Sequence, residues 1–106
     1  MQKKWEKIIN FIGDKNIEIH TYVIGKRKYK WFNVTSNGKN IYISNAKENF
    51  PSSELNKKRE LTFKEFEKIY PLYLKRENGE ILGEERRKAS NNSSYWFAII
   101  KYILER

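Results

Sequence analysis

The chain has 106 residues and a formal net charge of +9, with no cysteine and one histidine. This length predicts a single domain over residues 1–106. The lack of cysteine excludes a disulfide scaffold, a thiolate zinc site and a cysteine nucleophile, and one histidine leaves little room for a histidine metal site. Aromatic residues make up 15% of the sequence, which indicates a folded basic domain rather than a disordered basic tail.

No apolar run approaches the roughly 18 residues that a membrane span needs, so no membrane contact is expected. The first residues also lack the apolar core of a signal peptide. A cytoplasmic location is therefore expected.

Residues 1–13 are predicted to form the first helix, because their apolar side chains follow the helical period: Trp5, Ile8, Ile9 and Ile12. Residues 17–24 and 29–35 are rich in β-branched and aromatic side chains, which predicts two strands joined by a basic turn at 25–28. Residues 40–44 are predicted to return as a third strand.

The Asn37-Gly38 pair predicts a tight type I′ turn between strands 29–35 and 40–44. With this turn, four apolar residues would pair on a core face: Val34 with Ile41 and Phe32 with Ile43. The opposite face would combine aromatic and polar side chains: Tyr29, Trp31, Asn33, Tyr42 and Ser44. We expect that face either to be exposed and functional or to be covered by another element.

Residues 45–60 are rich in turn-forming residues and are predicted to be irregular. A capping box from Thr62 to Glu65 predicts a second helix that is kinked or broken near Pro71 and ends at 78–79. After a charged connector at 80–88, residues 95–104 are apolar almost all round. They predict a buried last helix, with a homodimer through that helix as the alternative.

These elements predict an α+β fold: an N-terminal helix, a three-stranded antiparallel sheet with an Asn-Gly hairpin, and two C-terminal helices, the last of them buried. The sheet region is also the most basic part of the chain. Residues 19–47 contain six Lys or Arg and no acid.

Basic charge beside aromatic rings is typical of nucleic-acid surfaces, because cations neutralise phosphates and rings stack on bases. A basic surface that only keeps the protein soluble is the plain alternative. The first predicted contact set lies on the strands and turns: Lys26, Arg27, Lys28, Tyr29, Lys30, Lys39 and Tyr42.

A second contact set is predicted where the last helix begins. A helix N-terminus attracts phosphate through its free amides and dipole, and five consecutive small polar residues at 90–94 exceed what one cap requires. Ordinary capping beside a solvated charge run is the alternative. The predicted set is Arg86, Arg87, Lys88, Ser90, Asn91 and Asn92.

Catalysis has little support in the sequence. His20 would be the general base of a small RNase-type toxin, with Arg27 as its charge partner, but a lone strand histidine is more often structural. Glu18 is the only acid in the sheet region and the glycines are scattered. No catalytic residue, metal site or cofactor is therefore predicted.

The sequence as a whole predicts a non-enzymatic nucleic-acid-binding module, with DNA preferred to RNA as the partner. A reader or accessory domain of a restriction or phage-related system has this size and charge. Two alternatives stay open: the RNase-type toxin, and a protein-interaction or inhibitor module that binds an acidic partner.

Overall fold

The structure is a computed structural model that describes residues 1–21, 28–80 and 83–106, apart from the side chains of Arg86 and Arg87. Within these ranges the elements are α1 (Gln2–Ile12), β1 (Ile17–His20), β2 (Trp31–Ser36), β3 (Ile41–Asn45), β4 (Arg59–Leu61), α2 (Phe63–Glu77), α3 (Glu84–Ala89) and α4 (Ser93–Leu104). The strands form one antiparallel sheet in sequence order, from β1 to β4. The predicted α+β class is confirmed, but the prediction lacked the fourth strand and the short helix α3, which lies in the predicted connector.

Helix α1 has the predicted amphipathic stripe, with Trp5, Ile8 and Ile12 buried. It ends at Gly13, whose N–H donates to the carbonyl of Ile9 at 2.9 Å. Gly13 has a φ of 56°, in the left-handed region that glycine reaches without a steric cost. The stripe therefore places α1 against the core.

The predicted register of the β2–β3 hairpin is wrong by two residues. Ser36 lies opposite Ile41, and Val34 lies opposite Ile43, so the loop between the strands has four residues. The Asn37 side chain explains the longer loop, because its Oδ1 accepts hydrogen bonds from the backbone N–H of Lys39 and of Asn40. A shift of two residues leaves the faces unchanged, so the four predicted apolar residues still point into the core.

Residues 45–60 were predicted to be irregular, and this is wrong at their end, because Arg59 and Glu60 belong to strand β4. Its three residues are too few to show the alternation by which a strand is recognised. The buried side chain of Leu61 lies opposite Ile41 and completes the apolar face of the sheet. At the other edge, the part of the predicted first strand at 22–24 lies outside the described residues, as do Lys26 and Arg27.

Helix α2 begins as predicted, with the Thr62 hydroxyl accepting from the backbone N–H of Glu65. In the predicted capping box, the Glu65 carboxylate would accept from the backbone N–H of Thr62. In the structure it instead accepts from the hydroxyl of Ser90 at 2.6 Å. Of the kink or break predicted near Pro71, a break does not occur, since the helix is continuous from Phe63 to Glu77.

Helix α4 is the central element of the core, as predicted. Its buried side chains are Ser93, Trp96, Phe97, Ala98, Ile99, Ile100 and Ile103. They join the apolar face of the sheet and the stripes of α1 and α2 in one cluster. The described sheet is therefore covered by helices on one face. Its other face contains the predicted aromatic and polar side chains, which are half-buried where they lie on the strands.

One core residue leads to a stability prediction. The Tyr73 side chain is buried, and its hydroxyl has no hydrogen-bond partner among the described residues. Because a buried hydroxyl without a partner is costly, Tyr73→Phe is expected to raise the free energy of unfolding by about 1 kcal/mol. The hydroxyl of Tyr95 bonds to Ser53, so Tyr95→Phe should instead be destabilising. Urea unfolding of both variants measures the two effects, and a less stable Tyr73→Phe protein would contradict the argument.

Candidate functional site

The predicted contact residues lie in three separate parts of the structure. Lys28, Tyr29 and Lys30 precede β2 at one end of the sheet. Lys39, in the loop after β2, and Tyr42, on β3, lie toward the other end of the sheet, about 17 Å away along the strands. The remaining residues lie around the junction of α3 and α4, beside the edge strand β4.

At the first position, three rings form what we call the aromatic cluster: His20, Tyr29 and Trp31. His20 and Trp31 are directly opposite in the β1–β2 ladder, and their ring centroids are 5.0 Å apart. Tyr29 is two residues before Trp31 and its ring centroid is 5.0 Å from that of His20. Cross-strand and diagonal neighbours on one face of a sheet contact each other in this way. The cluster therefore follows from strand pairing.

The backbone on both sides of Trp31 is held in place. Its N–H donates to the carbonyl of Pro51 and its own carbonyl accepts from the N–H of Ser53, each at 2.8 Å. The neighbouring Lys30 N–H donates to the Thr21 hydroxyl at 3.0 Å. The side chains of Lys28 and Lys30 are exposed, and Tyr29 has 46% of its surface exposed. Two exposed lysines and an accessible tyrosine thus immediately precede Trp31, whose backbone is held in place.

The loop after β3 is attached beside the cluster through Glu18. This carboxylate accepts hydrogen bonds from the backbone N–H groups of Lys47, Glu48 and Asn49 and from the Asn49 side chain. Desolvation opposes ionisation of the group, but these four donors outweigh it and hold the pKa of the Glu18 carboxyl below its ordinary value. This role of Glu18 does not follow from local sequence, because the partners are about thirty residues away in the chain.

The lowered pKa of Glu18 predicts an acid-dependent loss of stability. Its contribution to stability is complete above the ordinary glutamate pKa of about 4.3 and is lost as the pH falls through the lower folded value. Glu18→Gln is therefore expected to be destabilised at neutral pH, and its deficit relative to the wild type should shrink in acid. Thermal melts from neutral pH down to the acid range measure this. Glu67→Gln, at an exposed position on α2, is the control, and a deficit that does not change with pH would contradict the account.

At the second position, Tyr42 already has partners within the protein. Its hydroxyl donates to Glu60 at 2.9 Å and accepts from the Asn37 amide at 3.0 Å. The bond to Glu60, with desolvation and the charge of that carboxylate, raises the pKa of the Tyr42 hydroxyl. The Lys58 ammonium lies 4.8 Å from the centre of the Tyr42 ring. Lys39 is exposed in the adjoining loop. The ring and the hydroxyl are thus both engaged.

At the third position, a carboxylate occupies the region where a phosphate was predicted. Ser90 is buried and donates to Glu65, and its hydroxyl also accepts from the backbone N–H of Asn92. The Asn92 side chain accepts from Arg59 at 3.0 Å. Lys88 and Asn91 are exposed, whereas the side chains of Arg86 and Arg87 lie outside the described part of the chain. The polar run therefore links α2, β4 and α4.

Within the described part of the chain, no carboxylate bonds to His20 as it would to orient a catalytic base. The ring is exposed, and its Nδ1 lies 3.2 Å from the carbonyl of Thr21. The nearest carboxylate along the strand, that of Glu18, takes its hydrogen bonds from the loop after β3. Arg27, its predicted partner, lies outside the described residues. Among the residues that the structure describes, no group of three His, Asp or Glu is arranged to hold a metal ion.

Within the described ranges, no helix combines the length and apolar character that crossing a bilayer requires. Comparison of the chain with protein-family models, with curated proteins and with solved structures gave no match. The function must therefore be argued from the chemistry of the surface itself.

Proposed function

We propose that the protein is a non-enzymatic, cytoplasmic nucleic-acid-binding domain whose contact surface is the end of the sheet that contains the aromatic cluster. The observation that carries this proposal is the position of exposed Lys28 and Lys30 on either side of Tyr29, next to the fixed ring of Trp31. Cations neutralise phosphates, while the rings contact bases or sugars. A role as a reader or accessory domain has its support in the small size and basic charge of the chain.

The other two predicted positions contribute less to the proposed surface. Glu60 lies beside Tyr42, and Glu65 lies at the start of α4, so a phosphate would meet a negative charge at each place. Lys39 and Lys88 are exposed and add to the general positive potential. The proposed contact surface is therefore smaller than the predicted set and is centred on Lys28, Tyr29 and Lys30.

The test is a fluorescence-anisotropy titration of labelled single- and double-stranded DNA and RNA over a range of salt concentrations. Neutralising about five phosphates should give a log–log slope near −4.5 on duplex DNA, and near −3.5 on a single strand. No binding to any of them at low salt would overturn the proposal and favour the protein-interaction module. Degradation of the RNA that is lost in His20→Ala would favour the RNase-type toxin instead.

A further inference from the structure

A cavity of about 530 Å³ lies along the edge strand β1, between that strand and α4. The sheet contributes Glu18, Ile19, His20 and Trp31 to its lining, and α4 contributes Ala98, Lys101 and Tyr102. Its volume is within the range of about 300–1,000 Å³ that is usual for small-molecule sites. Two members of the aromatic cluster thus form one wall of an open pocket.

The aromatic wall of this cavity is rigid and accessible. Trp31 is half-buried, whereas Trp5 and Trp96 have only 5% and 0% of their surface exposed. The two backbone hydrogen bonds of Trp31 hold its main chain in place, and its ring packs edge-on against those of His20 and Tyr29 before any ligand arrives. A ring that is already ordered loses little entropy when a ligand stacks on it. The opposite wall contains Tyr102, which is 41% exposed.

Positive charge is present at both ends of the cavity. The Arg106 guanidinium lies 4.9 Å from the ring centre of Tyr102 and 4.8 Å from that of Phe11, over which the Lys15 ammonium also lies. Lys28 and Lys30 are exposed beside the aromatic cluster at the other end.

Two carboxylates near the cavity have partners within the protein, but Glu18 keeps its negative charge because its donors are neutral amides. The Glu18 carboxylate takes four hydrogen bonds from the loop after β3, and Glu77 lies 3.8 Å from the ammonium of Lys101. The three exposed cations beside the cavity outnumber the one uncompensated carboxylate, that of Glu18, so charge complementarity favours an occupant with flat rings and anionic groups on both sides of them.

We propose that this cavity takes an unpaired nucleobase of a single-stranded nucleic acid, stacked against the aromatic cluster. The phosphates on either side of that base contact Lys28 and Lys30 at one end and Arg106 at the other. A base in a duplex is paired and stacked within the helix, so it must be flipped out before it reaches the cavity, and flipping is costly. This inference rests on the proposed function and adds a preference for single strands to it.

The decisive probes are two oligonucleotides of about ten nucleotides with the same number of phosphates, oligo-dT and a strand in which every site is abasic. The wild type should bind the abasic strand roughly 5- to 150-fold more weakly, which is the range for losing one stacked base. Trp31→Leu, which removes the ring that lines the cavity, should remove this difference and leave binding of the abasic strand unchanged. Tyr70→Leu, a matched change on α2, should keep the difference. Circular dichroism confirms that each variant is folded.

The possible outcomes separate this inference from the proposed function. Equal, salt-dependent binding of both strands would overturn the base pocket and leave the nucleic-acid-binding proposal intact. Tighter binding of a duplex than of oligo-dT at equal salt would also overturn it. No binding of any strand would remove both. A parallel measurement with oligo-U and its abasic counterpart distinguishes RNA from DNA as the source of the base.

Discussion

Ile100→Ala is expected to lower the free energy of unfolding by about 2–5 kcal/mol, which is the usual range for truncating a fully buried aliphatic side chain. Ile100 is 0% exposed and lies on α4, which packs against α1, α2 and the sheet. The loss would be a large share of the roughly 5–15 kcal/mol that stabilises a small domain. Urea unfolding at equilibrium measures the effect directly.

Two variants serve as controls for the substitution in α4. Leu74→Ala removes a side chain of the same size from a helix position that is 46% exposed, and Lys101→Ala removes the charged residue next to Ile100. Both should have much smaller effects. Equal, mild effects at all three positions would mean that α4 is peripheral. If the wild type is an oligomer and the Ile100→Ala protein is a stable monomer, this side chain would instead belong to a dimer interface.

The double substitution Lys28→Ser and Lys30→Ser is expected to weaken binding of a single strand by about 25-fold at about 0.1 M salt. Each lysine that stops neutralising a phosphate also reduces the magnitude of the log–log salt slope by about 0.7, so the slope should fall by about 1.4. Both side chains are exposed, so the unfolding midpoint should hardly change.

The control for this pair has the same net charge. Lys64→Ser with Lys68→Ser removes two exposed lysines from α2, and the salt slope should stay close to that of the wild type. Equal losses for the two pairs would show that only net charge matters. The surface at the end of the sheet would then have no special role.

The apolar pattern of the sequence predicted the core well. The stripe of α1, the apolar positions of β2 and β3, and the buried length of α4 all follow from periodicity, which depends on local sequence. The β2–β3 register did not follow, because an Asn-Gly pair fits both a two-residue and a four-residue loop. The hydrogen bonds of the Asn37 side chain favour the longer one.

The elements that sequence reasoning missed depend on contacts between distant residues. Strand β4 is defined by its pairing with β3, and the loop after β3 is held by Glu18. Ser90 and Asn92 matched a phosphate-binding pattern, but Glu65, from another helix, is their partner in the structure. A local motif does not show which remote side chain will satisfy it.

The candidate site was predicted only in part. Tyr29 and Trp31 were expected on one face together with Tyr42, but Tyr42 lies nearer the far end of the sheet, where Asn37 and Glu60 bond to it. His20 was expected to be structural rather than catalytic, but its contacts with the rings of Tyr29 and Trp31 were not predicted. Cross-strand pairing of His20 with Trp31 was the available signal, and it required the β1–β2 register.

The most direct test of the central claim is a ¹⁵N–¹H NMR titration of the wild-type protein with oligo-dT at low salt. If the end of the sheet that contains the aromatic cluster is the contact surface, the largest shifts should fall on the amides of residues 20, 28–31 and 101–102. The amides of 37–42 and 88–93 should move little. Changes centred on either of those two segments, or no changes at a saturating concentration of oligo-dT, would contradict the account.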